Sequence, residues 1–152
     1  MEETYDDRIA VLDDDECWSF LKSHELGRLA FQLGGDVHIV PINYAVEGRT
    51  LLFRTAPGEK LLSIVLGTTV AFEVDDLDED EARSVVVRGS ARLLDEDEAH
   101  RAELVALRPW IGGERYDIVE LRPDVLTGRA FRLDRPWLHM FPHEARSGPG
   151  DE

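Results

Sequence analysis

Residues 37–46 read VHIVPINYAV, an apolar run that ends at the turn signal Glu47-Gly48. In a strand, successive side chains leave on opposite faces. His38, Val40, Ile42, Tyr44 and Val46 then share one face, and Val37, Ile39, Pro41, Asn43 and Ala45 the other. Both faces are apolar, so both need cover. A barrel core supplies one cover, and a partner subunit or a ligand must supply the second. Pro41 narrows the choice further. It has no N–H to give to a ladder, so the strand is bulged or at an edge there. Such irregularities leave backbone groups available to a ligand.

The chain continues through a short strand, Leu51–Thr55, then Ala56-Pro57-Gly58 and a helical pattern of Leu61, Leu62, Ile64 and Val65 closed by Gly67. Lys60 falls in the first turn of that helix, where a cation opposes the helix dipole. An anion bound at the free N–H groups of the same end reverses the sign of that effect. Arg54, Thr55 and Lys60 would then form one anion cup. The competing reading has Lys60 solvated and Arg54 paired with a surface carboxylate.

The remaining elements follow from pattern. Residues 1–10 and 138–152 read as flexible tails of a single domain, 1–152. Asp13 with Glu16 forms a carboxylate capping box, and Leu12 and Cys17 stand where a hydrophobic staple would. Cys17, Phe20, Leu21 and His24 make the apolar stripe of a helix that Gly27 ends. Gly27–Leu33 alternates as a strand, and Leu33-Gly34-Gly35-Asp36 is a hairpin turn. Thr68–Val74 and Arg83–Leu94 are further alternating strands, the second with Val85, Val87, Gly89, Ala91 and Leu93 inward and Arg88 and Arg92 outward. Between them Asp75–Glu81 reads as a solvated acidic loop, and the carboxylates of 73–81 are expected to titrate normally there. Asp95 with Glu98 opens a helix to Leu107. Residues 116–121 and 125–133 are two strands separated by Arg122-Pro123-Asp124. The fold expected is mainly β with peripheral α: six to seven mostly antiparallel strands in a split β-barrel, with about three helices on its rim.

Composition excludes several functions. A net charge of −15 opposes nucleic acid and anionic membranes as partners. No apolar stretch approaches the roughly 20 residues of a membrane span. The acidic start MEETYDDR is no signal peptide, and the single cysteine fits a reducing cytoplasm. Dinucleotide, P-loop, nucleophile-elbow and zinc-protease motifs are absent. The five histidines are scattered, and Pro142 spoils the spacing of His139 and His143, so no metal site is expected. No side chain stands out as a nucleophile, so any redox chemistry would come from a cofactor.

Five motifs in order carry a resemblance: Leu26-Gly27-Arg28-Leu29-Ala30, His38-Ile39-Val40-Pro41-Ile42-Asn43-Tyr44, Leu52 to Lys60, Val70-Ala71-Phe72-Glu73-Val74, and Ser84 to Gly89. Over about residues 12–133 the chain resembles the pyridoxamine 5′-phosphate oxidase-like FMN-binding split barrels, in their nitroimidazole-reductase-like branch. The resemblance implies a homodimer with FMN in the groove between barrels and hydride transfer to or from a small-molecule substrate through flavin N5. It implies that Arg54, Thr55 and Lys60 hold the phosphate, that Val40, Pro41, Ile42 and Asn43 run along the flavin ring, and that Trp110 reaches the partner's cofactor. The C-terminal pattern that grips substrate phosphate in true pyridoxamine phosphate oxidases is not evident around Arg132–Arg146, which argues against vitamin B6 oxidation. The fold also hosts F420 enzymes and haem-handling proteins, so F420 and haem are the alternative cofactors, and non-catalytic carriage the alternative role. His38, the histidine of the site strand, is either a packed or interface residue or a group that delivers protons or contacts substrate.

Overall fold

The structure is a computed structural model, described here for residues 8–55, 65–98, 100–103 and 117–134. The element order is β1 (Ile9–Leu12), α1 (Asp14–Lys22), β2 (Leu26–Leu33), β3 (Asp36–Glu47), β4 (Thr50–Thr55), β5 (Thr69–Leu77), β6 (Glu81–Leu93), α2 (His100–Glu103) and β7 (Asp117–Arg132). The ladders between these strands are antiparallel. The sheet order is β1-β7-β4-β3-β2-β5-β6, and β6 also pairs with β7. Six strands therefore close into a ring, and β1 hangs on the far side of β7. This is the expected split barrel.

Alternation fills the barrel. Leu29 and Phe31 of β2, Tyr44 of β3, Leu51 and Phe53 of β4, Phe72 of β5, Val85 and Val87 of β6, and Val119 and Leu121 of β7 form one buried cluster. Helix α1 adds Cys17, Phe20 and Leu21 to it. The helix is set by its capping box: Asp13 Oδ1 accepts from the Glu16 N–H at 2.8 Å, and Glu16 Oε1 accepts from the Asp13 N–H at 3.2 Å. The Tyr44 hydroxyl donates to the Leu21 carbonyl at 2.6 Å, and burial pushes the phenol well above its ordinary pKa. A second, smaller cluster lies on the outer side, where Ala102 of α2 covers Ala45, Leu52, Leu94 and Ile118.

The Gly34-Gly35 hairpin is as expected, with φ of 58° and 90°, a two-residue turn open to glycine at both positions. Several other expectations are corrected. Ile9 and Ala10 are not frayed, because β1 pairs with Gly128–Phe131. Helix α1 ends at Lys22 with Ser23 as its cap, and Gly27 lies inside β2. A Cβ on Gly27 would fall 2.3 Å from the Phe72 ring, so glycine there is a packing requirement rather than a helix stop. The acidic loop shrinks, since Asp75, Asp76 and Leu77 continue β5 opposite Ala82–Ser84. Leu93 is exposed, and Leu94 is the buried residue.

The two C-terminal strands are one. Strand β7 runs without a break past Pro123, with Asp124 the extra residue where Arg88 pairs Val125 and Gly89 pairs Pro123. Proline is tolerated because β4 pairs end at Leu121 and β1 pairs begin at Gly128, leaving Pro123 with one neighbouring strand. Near Asp95 only half a box forms. Its Oδ1 accepts from the Glu98 N–H at 3.0 Å, while the Glu98 carboxylate is taken by Arg92. The predicted helix residues 61–64 and 104–107 lie outside the described residues. Among the described residues, no helix is long and apolar enough to cross a membrane.

Candidate functional site

The barrel opens between β3 and β4. Their ladder runs from Glu47↔Thr50 to Tyr44↔Phe53 and stops. Beyond that point β3 continues toward Asp36 beside β2, while β4 continues to Thr55 beside β7. Asn43 and Arg54 are the first residues past the last pair, one on each lip. Val40 to Asn43 and Arg54-Thr55 are thus brought to one opening. Lys60 and Trp110 lie outside the described residues.

Residues 36–43 of β3 have β2 as their one partner strand among the described residues. The register with β2 is unbroken from Leu33↔Asp36 to Leu26↔Asn43, so no bulge is present and the edge alternative holds at Pro41. Backbone direction explains the proline. The Tyr44 N–H donates to the Glu25 carbonyl at 2.9 Å, and backbone groups alternate sides along an antiparallel strand. The backbone groups of Val37, Ile39 and Pro41 therefore point to the open edge, where a missing N–H breaks no ladder bond.

Side chains divide by face. Val40 and Ile42 are half-buried against the core, and Pro41 is exposed. On the outer face, Val37 is 78% and Ile39 65% exposed, whereas Ala45 is covered by the chain's own α2 cluster. The uncovered part of the two-sided strand is its N-terminal half. Consecutive residues Arg54 and Thr55 also leave on opposite faces. Arg54 shares the outer face with Leu52 and Asn43, and Thr55 turns inward with Phe53. The Thr55 hydroxyl is buried, with the residue 5% exposed, and has no hydrogen-bond partner among the described residues. A buried hydroxyl without a partner is costly, and this one sits at the opening. His38 is exposed, its ring stacked on Phe31 with centroids 5.4 Å apart.

A charged group beside this opening was not anticipated. Arg28 of β2 is the cross-strand partner of Pro41 on one side and of Glu73 on the other. Its Nη1 donates to Glu73 Oε1 and to Asp75 Oδ2, each at 3.2 Å. Burial, followed by hydrogen bonding and repulsion from Asp75, pushes Glu73 up to about 7 against the pull of Arg28. The expectation of ordinary titration across 73–81 is therefore corrected: Glu73 lies in a strand, and the barrel desolvates it. The available signal was a lone acid inside the alternation of Val70–Val74. Nearby, His24 Nε2 contacts Asp76 Oδ2 at 3.0 Å, and Arg83 Nη2 holds the same oxygen at 2.9 Å.

The family profile described as pyridoxamine 5′-phosphate oxidase matches residues 13–130. The chain belongs to that family. The FAD binding protein of Mycobacterium smegmatis is similar to this chain, 43% identical, with a TM-score of 0.75 over 81% of this chain and 98% of that one. An uncharacterised protein of Mycobacterium tuberculosis is 31% identical over 127 residues, which are 79% of this chain and 84% of that protein. A Bacteroides thetaiotaomicron structure whose name links it to 5-nitroimidazole antibiotic resistance has a TM-score of 0.68, over 82% of this chain and 88% of that one. At 15% identity it carries the fold alone.

Proposed function

We propose that this chain is a cytoplasmic, homodimeric flavoprotein that holds a flavin nucleotide at the β3–β4 opening and uses it to oxidise or reduce a small molecule. The observation that carries this reading is the opening itself. An edge strand with outward backbone groups and a proline lies opposite Arg54, and the Thr55 hydroxyl, without a partner among the described residues, is at the strand end. The FAD-binding relative at 43% identity supports the same reading.

The residue roles follow from these positions. Donors and acceptors along the β3 edge suit the rim of a flat heterocycle rich in N–H and C=O groups, and orient it. Arg54 meets the phosphate from the outer face, and Lys60, which lies outside the described residues, is assigned to the same phosphate from its place in the sequence. Thr55 turns inward, so its side chain shares no face with Arg54, and its contact would come from the strand end. A second copy over Val37 and Ile39 excludes water from the site, and Trp110 approaches from that copy. His38, stacked on Phe31, is a packed or interface residue of the site strand, with proton delivery or substrate contact as the competing role. A bound flavin supplies two-electron chemistry by hydride transfer at N5. A single terminal phosphate makes FMN the proposed form, and FAD, F420 and haem are competing occupants.

The absorption spectrum of the purified protein, with chromatography of the released cofactor, tests this directly. A flavin spectrum with FMN released is the expected result. FAD, a deazaflavin or a haem Soret band would replace the cofactor assignment, and failure to bind any of the four would end it. Arg54→Ala is expected to weaken FMN binding roughly ten- to a hundredfold, the loss of one charge-assisted contact. Arg49→Ala, an exposed arginine paired with Asp15, should leave binding unchanged.

A further inference from the structure

Cross-strand partners share a face, so the registers show what surrounds Arg54. Arg54 pairs with Ile118, and two residues along each strand Leu52 pairs with Glu120. Leu52 and Ile118 are buried in the outer cluster that Ala102 of α2 covers. Helix α2 therefore lies on the patch of sheet from which Arg54, itself half-buried, projects. The described residues of α2 number 4, and Ala102 is the one buried among them. A single alanine is a small apolar anchor. Arg101 supplies the stronger tie. Its Nη2 donates to Glu47 Oε2 at 2.6 Å and to Thr50 Oγ1 at 3.2 Å, and contacts Glu120 Oε2. Its Nε also donates to Glu47 Oε2, at 3.1 Å. One guanidinium thus joins α2 to β3, β4 and β7.

We propose that Arg101 is a positioning residue for the flavin phosphate: it clamps α2 onto the sheet and thereby fixes the patch that directs Arg54. The inference rests on the flavin site proposed above and deepens it. The charges of the clamp balance, which separates position from attraction. Among the described residues, Arg92, Arg101 and Arg122 face Glu47, Glu98 and Glu120. A balanced network does not draw a phosphate by net charge, but it does hold a surface still. Taking charges out of water also offsets much of what their pairing contributes. Glu120 is nonetheless fully buried, and a buried network of this kind fixes one arrangement of its groups.

The clamp needs an arginine. A planar fork reaches Glu47, Thr50 and Glu120 at once, whereas the compact ammonium of a lysine carries the same charge without the fork. The phosphate end of the site is the end it controls. Arg54 stands on the outer face in the rows of Leu52 and Ile118. Val40 to Asn43, assigned to the flavin ring, lie on the other lip, past the last pair of β3 with β4. A loosened α2 therefore disturbs the hold on phosphate and leaves the hold on the ring.

Fluorescence titration of the full chain with FMN and with riboflavin, which lacks the phosphate, tests this. The parent should prefer FMN. Arg101→Lys keeps the charge and should weaken FMN binding about tenfold while leaving riboflavin binding unchanged. In an Arg54→Ala background the same change should have no further effect, because both act through one contact. Glu47→Gln is a second variant, for which position and charge give opposite signs. It removes a negative charge, so attraction alone would tighten FMN binding, whereas a loosened clamp weakens it. Should Arg101→Lys not fold, as circular dichroism would show, Glu47→Gln decides alone. In folded variants, unchanged FMN binding, equal losses of FMN and riboflavin, a full loss that persists without Arg54, or tighter FMN binding in Glu47→Gln overturns the proposal. If the parent prefers FMN and the variants keep that preference, the phosphate site stands and the positioning role falls. If the parent binds neither flavin, or both alike, the phosphate site falls as well.

Discussion

Glu120 is fully buried on the outer side of β7, and three arginines converge on it. Arg92 Nε and Arg122 Nε donate to its Oε1 at 2.8 and 2.9 Å, and Arg101 Nη2 contacts Oε2. Arg92 also grips Glu98 at 2.6 and 2.8 Å, and Arg101 grips Glu47 at 2.6 Å. The network ties α2 to the sheet above the second cluster. Burial pushes Glu120 up, but hydrogen bonds from Arg92 and Arg101 outweigh it and leave the carboxyl below its ordinary range. Hydrogen bonds from Arg92 hold Glu98 down at about 2. Both folded values lie below the unfolded ones. Their stabilisation is therefore present above the ordinary carboxylate range and lost as the pH falls toward about 2. Glu120→Gln should cost roughly 1–3 kcal/mol near neutral pH, reduced from the fully buried case because Arg92 and Arg122 remain partly solvated. Its melting temperature should also fall less steeply with acid than that of the wild type. Gly89 makes a purely steric case. A Cβ there would lie 1.8 Å from the Arg122 carbonyl oxygen at the β7 bulge, a backbone atom that cannot swing away. Gly89→Ala should destabilise by roughly 1–3 kcal/mol in denaturant unfolding.

Among the described residues two prolines lie inside strands, and both are tolerated for the same reason. Pro41 sits where β3 has one neighbouring strand, and Pro123 sits between the stretches of β7 paired with β4 and with β1. Neither position requires a second ladder bond. Pro41→Val is expected to change unfolding free energy by less than about 1 kcal/mol, because the restored N–H faces the open edge. A loss well beyond that would show that this edge is paired within the protomer. Helix α1 depends on its cap more than on its length of 9 residues. Asp13→Ala removes the acceptor for the Glu16 N–H and should cost roughly 1 kcal/mol by thermal melting.

The whole chain carries −15 charges, with a sequence pI of about 4.6. Two such molecules repel at long range, and salt screens that repulsion within a Debye length of about 10 Å at roughly 0.1 M. The proposed dimer should therefore tighten as salt is raised, as read by sedimentation at constant pH. The reverse dependence would mean that complementary ion pairs dominate the contact. The site proposal and the dimer meet in one surface, since the opening beside Pro41 borders the uncovered Val37 and Ile39.

Sequence alone determined the features whose cause is local. Asp13 and Glu16 lie three residues apart, and their capping box formed. Gly34-Gly35 set the hairpin through the only residue that takes positive φ at no cost. The alternation of β2, β5 and β6 follows from one dry face and one wet one, and Pro41 in the two-faced apolar pattern of β3 already required either a bulge or an edge. The ordered motifs were enough to indicate the family. Tertiary structure alone decided the features whose cause is a distant partner. Nothing in Ile9–Leu12 announces a strand until β7 lies beside it. Pro123 reads as a break until the gap between β4 and β1 shows that no ladder bond is lost. Asp75 and Asp76 read as loop until Arg28 and Arg83 are brought across from other strands. Arg54 and Thr55 read as one cup until the strand sends their side chains to opposite faces. Glu73 reads as an ordinary surface acid until the barrel desolvates it beside Asp75. Local preference acts over three or four residues, whereas the pairing of strands and charges far apart in the chain is settled only when the barrel closes.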